Sequence, residues 1–387
     1  MEHRKRGLTR IIRINTDFNI KSRIRISCWF VWFVVILLFI PNVIFAQEDY
    51  LVSFSDPARL WNSEIERVIE EAFRLNFRTK IIGGRVINIR LPFAMNNDRD
   101  LMLENKIKIV QDGKGDPLSL WVVIEELLIT DDFAEYVNTL SSGREKVIIF
   151  DLSQNTWSVQ TDPFIIARIK SGAFRGLPHR PHVLVSGRGV QESDIYNYLY
   201  CIGNVGVDCS GFVWHILAYV ARQGGVDLGA ALSQVLGVPR GANPALYAGT
   251  SFFNSRNSQV IAVNDEIRNL RPADVLLFRD FEGNIVHAAV IQSIDWTRGV
   301  IRYLQCNNIA TQEERGVHEA YIYFDPANTA VSLKDPSLHW TKKRFGAFTG
   351  EYIPFADDGE RYRYRLNGGG RVVRLRPLVP VVERMMR

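Results

Sequence analysis

The sequence predicts an α+β protein in which a cysteine-bearing helix packs on an antiparallel sheet, preceded by a separate α+β domain. Three observations lead there. From Cys209, apolar residues recur at Phe212, Val213, Ile216, Leu217 and Val220, the spacing of one helix face, until Gly224-Gly225 supplies a stop. Further on, three apolar runs, 275–278, 286–291 and 300–305, are separated by turns at Glu282-Gly283-Asn284 and Thr297-Arg298-Gly299. Short strands joined by tight turns make an antiparallel meander. Residues 50–185, finally, mix both periods without any catalytic spacing.

Residues 1–46 carry eight basic side chains against Glu2 and Asp17, followed by an apolar run that ends at Ile44-Phe45-Ala46 before Gln47-Glu48-Asp49. A basic start, an apolar core and small residues at the end predict a signal peptide cleaved after Ala46. An uncleaved N-terminal anchor is the alternative, and both send the following chain out of the cytoplasm. The net charge of +5 is unevenly placed. Without residues 1–46 there remain 39 basic and 40 acidic side chains, and residues 47–358 alone stand at −7. That balance excludes a nucleic-acid-binding body.

The domain expected over 47–185 opens with Ser63-x-x-Glu66, a capping-box spacing, and a helix with Ile65, Val68, Ile69, Ala72 and Phe73 on one face. Residues 86–91 and 147–150 read as strands, and 118–129 is apolar enough for either a helix or a strand. Residues 176–189, rich in Gly, Pro, Arg and His, read as a connection. Its His179-x-x-His182 spacing has no third ligand nearby, so it is a solvated linker rather than a zinc site. The cysteine-bearing domain is expected over 186–325 and a C-terminal extension with an Arg-rich end over 326–387.

A cysteine in the first turn of a helix lies at the positive end of the macrodipole, which favours thiolate. Of the three cysteines left after export, Cys201, Cys209 and Cys306, Cys209 alone has that position. His287 begins an otherwise apolar strand and Gln305 ends the next, so both can reach one point before the helix. Nucleophilic catalysis needs these types: a thiolate to attack, an imidazole to hold the proton, and a group that fixes the imidazole's tautomer. His215, six residues beyond Cys209, lies ~600° around the helix and ~9 Å along it, poor geometry for a base.

The runs Asp208-Cys209-Ser210-Gly211-Phe212, 270–278 (Leu-Arg-Pro-Ala-Asp-Val-Leu-Leu-Phe) and 286–291 (Val-His-Ala-Ala-Val-Ile) resemble the NlpC/P60 cysteine peptidases, papain-like enzymes that cut peptidoglycan stem peptides. Gly237-Val238-Pro239-Arg240 resembles the segment these enzymes place between the cysteine helix and the strands. The likeness covers about a third of the chain. It implies Cys209 as nucleophile, His287 as base and Gln305 as the third polar residue, with Asn307 and Asn308 as alternatives. It also implies a substrate groove beside Tyr198, Tyr200, Asp208 and Ser210. The family's paired glycines upstream of the cysteine are missing from 198–203. The implied reaction is amide hydrolysis through an acyl-enzyme, with no metal or cofactor, after γ-D-glutamate of the stem peptide. A related amidase or acyltransferase would use the same residues. An inactive, wall-binding relative would be expected to lack one of them.

Residues 359–387 hold eight arginines against two glutamates. Arg361, Arg363 and Arg365 alternate with tyrosines and would share one face of a strand. This end is expected to be an edge hairpin that can attract the protein to an anionic envelope surface.

Overall fold

Amphipathic spacing, acidic residues in the first turn and Arg74 in the last place a helix at the front of the described chain, α1 (Glu64–Arg74). This computed structural model describes residues 63–93, 116–143, 145–151, 154–171, 182–185, 189–203, 205–307, 316–345, 352–356, 358–365 and 369–387. The expected signal or anchor, residues 1–46, lies outside the described residues. All five apolar residues named for α1 are buried. The N-cap is Ser63 as expected, but its side chain makes no capping bond.

A hairpin follows, β1 (Phe77–Ile82) and β2 (Arg85–Arg90), closed by Gly83-Gly84 at φ 56° and 75°. Two positive φ angles are what a two-residue type I′ turn requires, which is why both positions are glycine. The ambiguous apolar stretch is a helix, α2 (Pro117–Leu127), with Asp116 accepting from the Leu118 N–H and proline in the first turn. Then come α3 (Asp131–Ser141), β3 (Lys146–Asp151), β4 (Thr156–Gln160), α4 (Pro163–Lys170) and β5 (His182–Val185). The last is a correction: part of the expected linker is a strand, paired antiparallel to β3 with His182 opposite Ile149. His179 lies outside the described residues.

Helix α5 (Glu192–Cys201) leads to the cysteine helix α6 (Cys209–Gln223), which ends at Gly224 as predicted, and α7 (Leu228–Leu236) follows. After a short α8 (Thr250–Phe253) come β6 (Val260–Val263), β7 (Val275–Arg279), β8 (Ile285–Asp295), β9 (Val300–Asn307) and β10 (Gly316–Tyr323). The meander of β7, β8 and β9 is present in the predicted order and antiparallel.

The sheet does not stop where the sequence suggested. β11 (His339–Phe345) and β12 (Tyr352–Ala356) extend it from β10, and β13 (Arg371–Leu375) lies between β7 and β6, giving the order β12-β11-β10-β9-β8-β7-β13-β6. Residues 326–387, expected as an extension, therefore complete the same sheet. Val372 and Val373 make β13 a buried inner strand, which arginine counting over that segment hides. The Arg-Tyr alternation is likewise not a strand but helix α9 (Asp358–Arg365). Its buried positions, Glu360 and Tyr364, are four apart, so helical spacing and not alternation sets which side chains enter the core. Several C-terminal arginines are held internally: Arg374 grips the buried Asp274 carboxylate with two bonds of 2.6 and 2.7 Å, Arg376 donates to the Ser258 carbonyl and Arg384 to the Gly224 carbonyl.

The two faces of the sheet differ. One carries Phe278, Ala289, Ile291, Tyr303, Ala320, Ile322 and Trp340, which with Tyr364 of α9 form a continuous apolar core. The other receives α1 and α6, which also pack on each other. There Gln292 donates to the Glu66 carbonyl at 2.9 Å, and Arg302 pairs with Glu70 of α1 at 2.6 Å and with Glu319 of β10. The guanidinium also stacks over Phe73, 5.4 Å from the ring centroid. The described residues fall in one compact unit by backbone contact. The segment 63–93 thus joins the sheet through a buried ion network, instead of standing apart as a separate domain.

Candidate active site

Cys209 is the first residue of α6. Asp208 caps the helix, accepting from the Gly211 N–H and, at 3.0 Å, from the Ser210 hydroxyl. The cap is the local reason the helix starts here, and it leaves Cys209 where partial positive charge gathers. Asp208 and Ser210, expected beside the substrate, are buried and spent on this cap. All three described cysteines are free thiols. Cys209 is the most exposed of them, at 9% against 1% for Cys201 and 0% for Cys306.

Helix α6 packs on β8 and β9, the strands that bear the other two expected residues. His287 on β8 and Gln305 on β9 meet: Nε2 of His287 lies 2.8 Å from Oε1 of Gln305. The register explains the contact. Gln305 stands opposite Ala289, two residues along from His287, so both side chains leave the same face of the sheet as diagonal neighbours. The Phe278 ring, 5.3 Å away by centroid, packs against the imidazole from the third strand.

A third residue extends this row. His318 lies directly opposite Gln305 on β10, its Nε2 3.0 Å from the amide nitrogen of Gln305 and its Nδ1 2.8 Å from the Gly316 carbonyl. Burial, together with the positive charges of Lys342 and Arg90, depresses the His318 pKa to about 3. Behind the row, Asn307 donates to Oε1 of Glu360 at 3.1 Å and approaches Oε1 of Gln305 at 3.4 Å. Glu360 is paired with the buried Lys342 at 2.7 Å and accepts from the Tyr303 hydroxyl. Asn307 is therefore a neighbour of the row rather than its third member, and Asn308 lies outside the described residues.

Strand β9 uses both faces here. Gln305 points to the histidine row, and Cys306 points the other way, its Sγ 3.1 Å from the carbonyl of Val207, two residues before Cys209. Burial pushes the Cys306 thiol well up, with the nearby Cys209 and Asp208 adding to the effect. Buried and hydrogen-bonded to the Val207 carbonyl, Cys306 is poorly placed to compete as a nucleophile.

The tyrosines are placed differently from expectation. Tyr198 is buried, its ring against Phe133 and Tyr136 and its hydroxyl donating to Asp132 at 2.6 Å. Burial and that hydrogen bond push its pKa up. Tyr198 belongs to an aromatic core shared with α3, not to a groove. Tyr200 is half-buried and stacks on Tyr196 at 6.2 Å. Tyr196 in turn carries the Arg90 guanidinium 5.1 Å from its centroid. His215 is buried in α6.

Sequence reasoning missed His318, Glu360 and Arg90. His318 had a usable signal, since 316–323 reads as a further strand after the meander with a histidine on the Gln305 face. Glu360 and Arg90 had none, because their partners lie in other elements: Lys342, Tyr303 and Asn307 for the one, Glu192 and Tyr196 for the other. Among the described residues no cluster of three His, Cys, Asp or Glu side chains is arranged to hold a metal ion. A scan against protein-family models finds no matching model, and searches of the curated proteins and of the solved structures return no match.

Proposed function

We propose that this chain is a cysteine peptidase of the NlpC/P60 type, a papain-like hydrolase of peptidoglycan stem peptides exported to the cell envelope. The reading rests on two separate observations: the buried His287–Gln305 contact, and the capped Cys209 at the start of a helix packed on the same two strands. An amide oxygen that accepts from Nε2 of His287 leaves Nδ1 as the lone-pair nitrogen, the form a general base requires. In the proposed reaction Cys209 attacks the scissile carbonyl, and His287 takes the thiol proton and delivers it to the leaving amine. The same imidazole then activates water to release the acyl group. Backbone N–H groups at the start of α6 supply the oxyanion donors. The envelope assignment rests on the basic and apolar order of residues 1–46.

Mass spectrometry of purified muropeptides after incubation with the protein tests the reading. The expected result is a cleaved stem peptide, after γ-D-glutamate, that is absent with Cys209→Ala. Intact muropeptides with the unaltered protein, or equal cleavage by Cys209→Ala, would refute it.

A further inference from the structure

We infer that His318 is a positioning residue for this site: it orients the Gln305 amide and thereby sets which nitrogen of His287 carries the proton. The catalytic relevance of that proton rests on the reading given under Proposed function. The anchor is the Gly316 carbonyl, which can only accept, so the Nδ1 of His318 at 2.8 Å must be an N–H. A neutral imidazole has one proton, so Nε2 of His318 is then an acceptor. The positive charges of Lys342 and Arg90, with burial, oppose a second proton there, and His287 adds to that opposition. The Gln305 atom 3.0 Å from that nitrogen is therefore the NH2 group, and Oε1 is turned to His287. His287 must donate from Nε2, and its Nδ1 keeps the lone pair. Asn307, 3.4 Å from the same Oε1, favours the same orientation.

Donor and acceptor roles thus pass from a backbone carbonyl through two side chains to the base. An amide can turn over at almost no cost when nothing distinguishes its two ends. If His318 did not accept, Gln305 could present NH2 to His287, moving the proton to Nδ1. That is the wrong tautomer for accepting from a thiol, and a wrong tautomer is expensive in cysteine and serine hydrolases alike.

The test uses full-length protein carrying 15N-labelled histidine, in a Cys209→Ala background at pH 8, so that no thiolate holds His287 as an imidazolium. Imidazole 15N shifts separate N–H from lone-pair nitrogens. We expect N–H at Nε2 of His287 and at Nδ1 of His318. With His318→Leu added, His287 should become a mixture of tautomers, and His318→Gln, whose side-chain oxygen can accept, should restore the single form. In the Cys209 protein, His318→Leu should slow alkylation of Cys209 by iodoacetamide about tenfold, as loss of a partner that orients a functional histidine does elsewhere. If His318→Leu fails to fold, the parent spectrum keeps the idea testable, because His318 must carry its one proton on Nδ1, toward the Gly316 carbonyl. A proton on Nδ1 of His287 or on Nε2 of His318 in the parent, or an unchanged tautomer in a folded His318→Leu, would each overturn the inference. Absence of muropeptide cleavage would instead remove the proposed reaction and leave the tautomer result standing.

Discussion

Arg302 is where the N-terminal segment and the sheet are joined, and its replacement tests that junction. The side chain is 5% exposed and contacts Glu70 of α1, 9% exposed, and Glu319 of β10, 6% exposed. Arg302→Met keeps an apolar stem over Phe73 but takes the guanidinium away from two buried carboxylates, Glu319 and Glu70, the latter still paired with Arg74. A single charge pair near 4 Å is worth about 4 kcal/mol at an effective dielectric of 20. Most of that offsets the cost of removing the ions from water, so the balance is small while all three are present. Taking away one partner exposes the desolvation cost, which for buried pairs runs to about 3–5 kcal/mol. With a denaturant slope of roughly 3 kcal/mol per molar urea, the unfolding midpoint should fall by about 1–1.7 M. The triple replacement Arg302→Met, Glu70→Gln, Glu319→Gln should recover more than half of the loss. Urea unfolding followed by tryptophan fluorescence reads both. A midpoint shift below about 0.3 M for Arg302→Met would show that α1 does not depend on the sheet, and no recovery in the triple variant would show that stranded charge is not the cause.

Three further outcomes follow from the same structure. At Gly299, φ is +68° and an added Cβ would lie 2.0 Å from the Phe324 carbonyl oxygen, so Gly299→Ala should cost about 3 kcal/mol or more in urea unfolding. An effect under 1 kcal/mol would mean that this turn readily rearranges. Tyr198→Phe should lower stability by about 1–2 kcal/mol through loss of the bond to Asp132, without changing KM for a cleaved muropeptide. A raised KM would return Tyr198 to the substrate groove. His318, held neutral down to about pH 3, makes the unfolded chain the stronger proton binder between there and the ordinary value of about 6.5. Its contribution is therefore present above pH 6.5 and lost as pH falls, by about 2 kcal/mol between pH 6.5 and 5, and His318→Gln should remove that part of the pH dependence. Equal slopes for the two proteins would contradict a neutral buried His318.

What could be read in the sequence was what local spacing encodes. The cysteine helix with its Gly224 stop and the order of three strands follow from apolar period and turn residues, and the His287–Gln305 diagonal follows from placing one residue at a strand start and one at the next strand's end. What could not be read was long-range pairing. Nothing local says that 371–375 slides between 275–279 and 260–263, because an inner antiparallel strand and an edge hairpin share the same alternation. The Arg-Tyr run misled for a related reason: its composition is strongly polar, and only tertiary packing of Glu360 and Tyr364 makes it a helix. Tyr198 shows the limit at the site itself. The resemblance implied a groove beside it, but α5, which carries Tyr198, turns the ring toward Phe133 and Tyr136 of α3. His318 was missed because the row is completed by a strand beyond the last of the sequence motifs.

Cys209 and His287 are proposed to act as a thiol–imidazole couple, and the pH dependence of Cys209 alkylation tests this without any assumed substrate. Iodoacetamide adducts on the Cys209 peptide can be quantified by mass spectrometry from pH 4 to 10. A coupled pair should alkylate with a reactive form already present below pH 7, well under the usual thiol range of about 8.5, and His287→Ala should move the profile back to that range. Gln305→Ala should give an intermediate profile. A single ordinary thiol titration in the unaltered protein, unchanged by His287→Ala, would contradict the account.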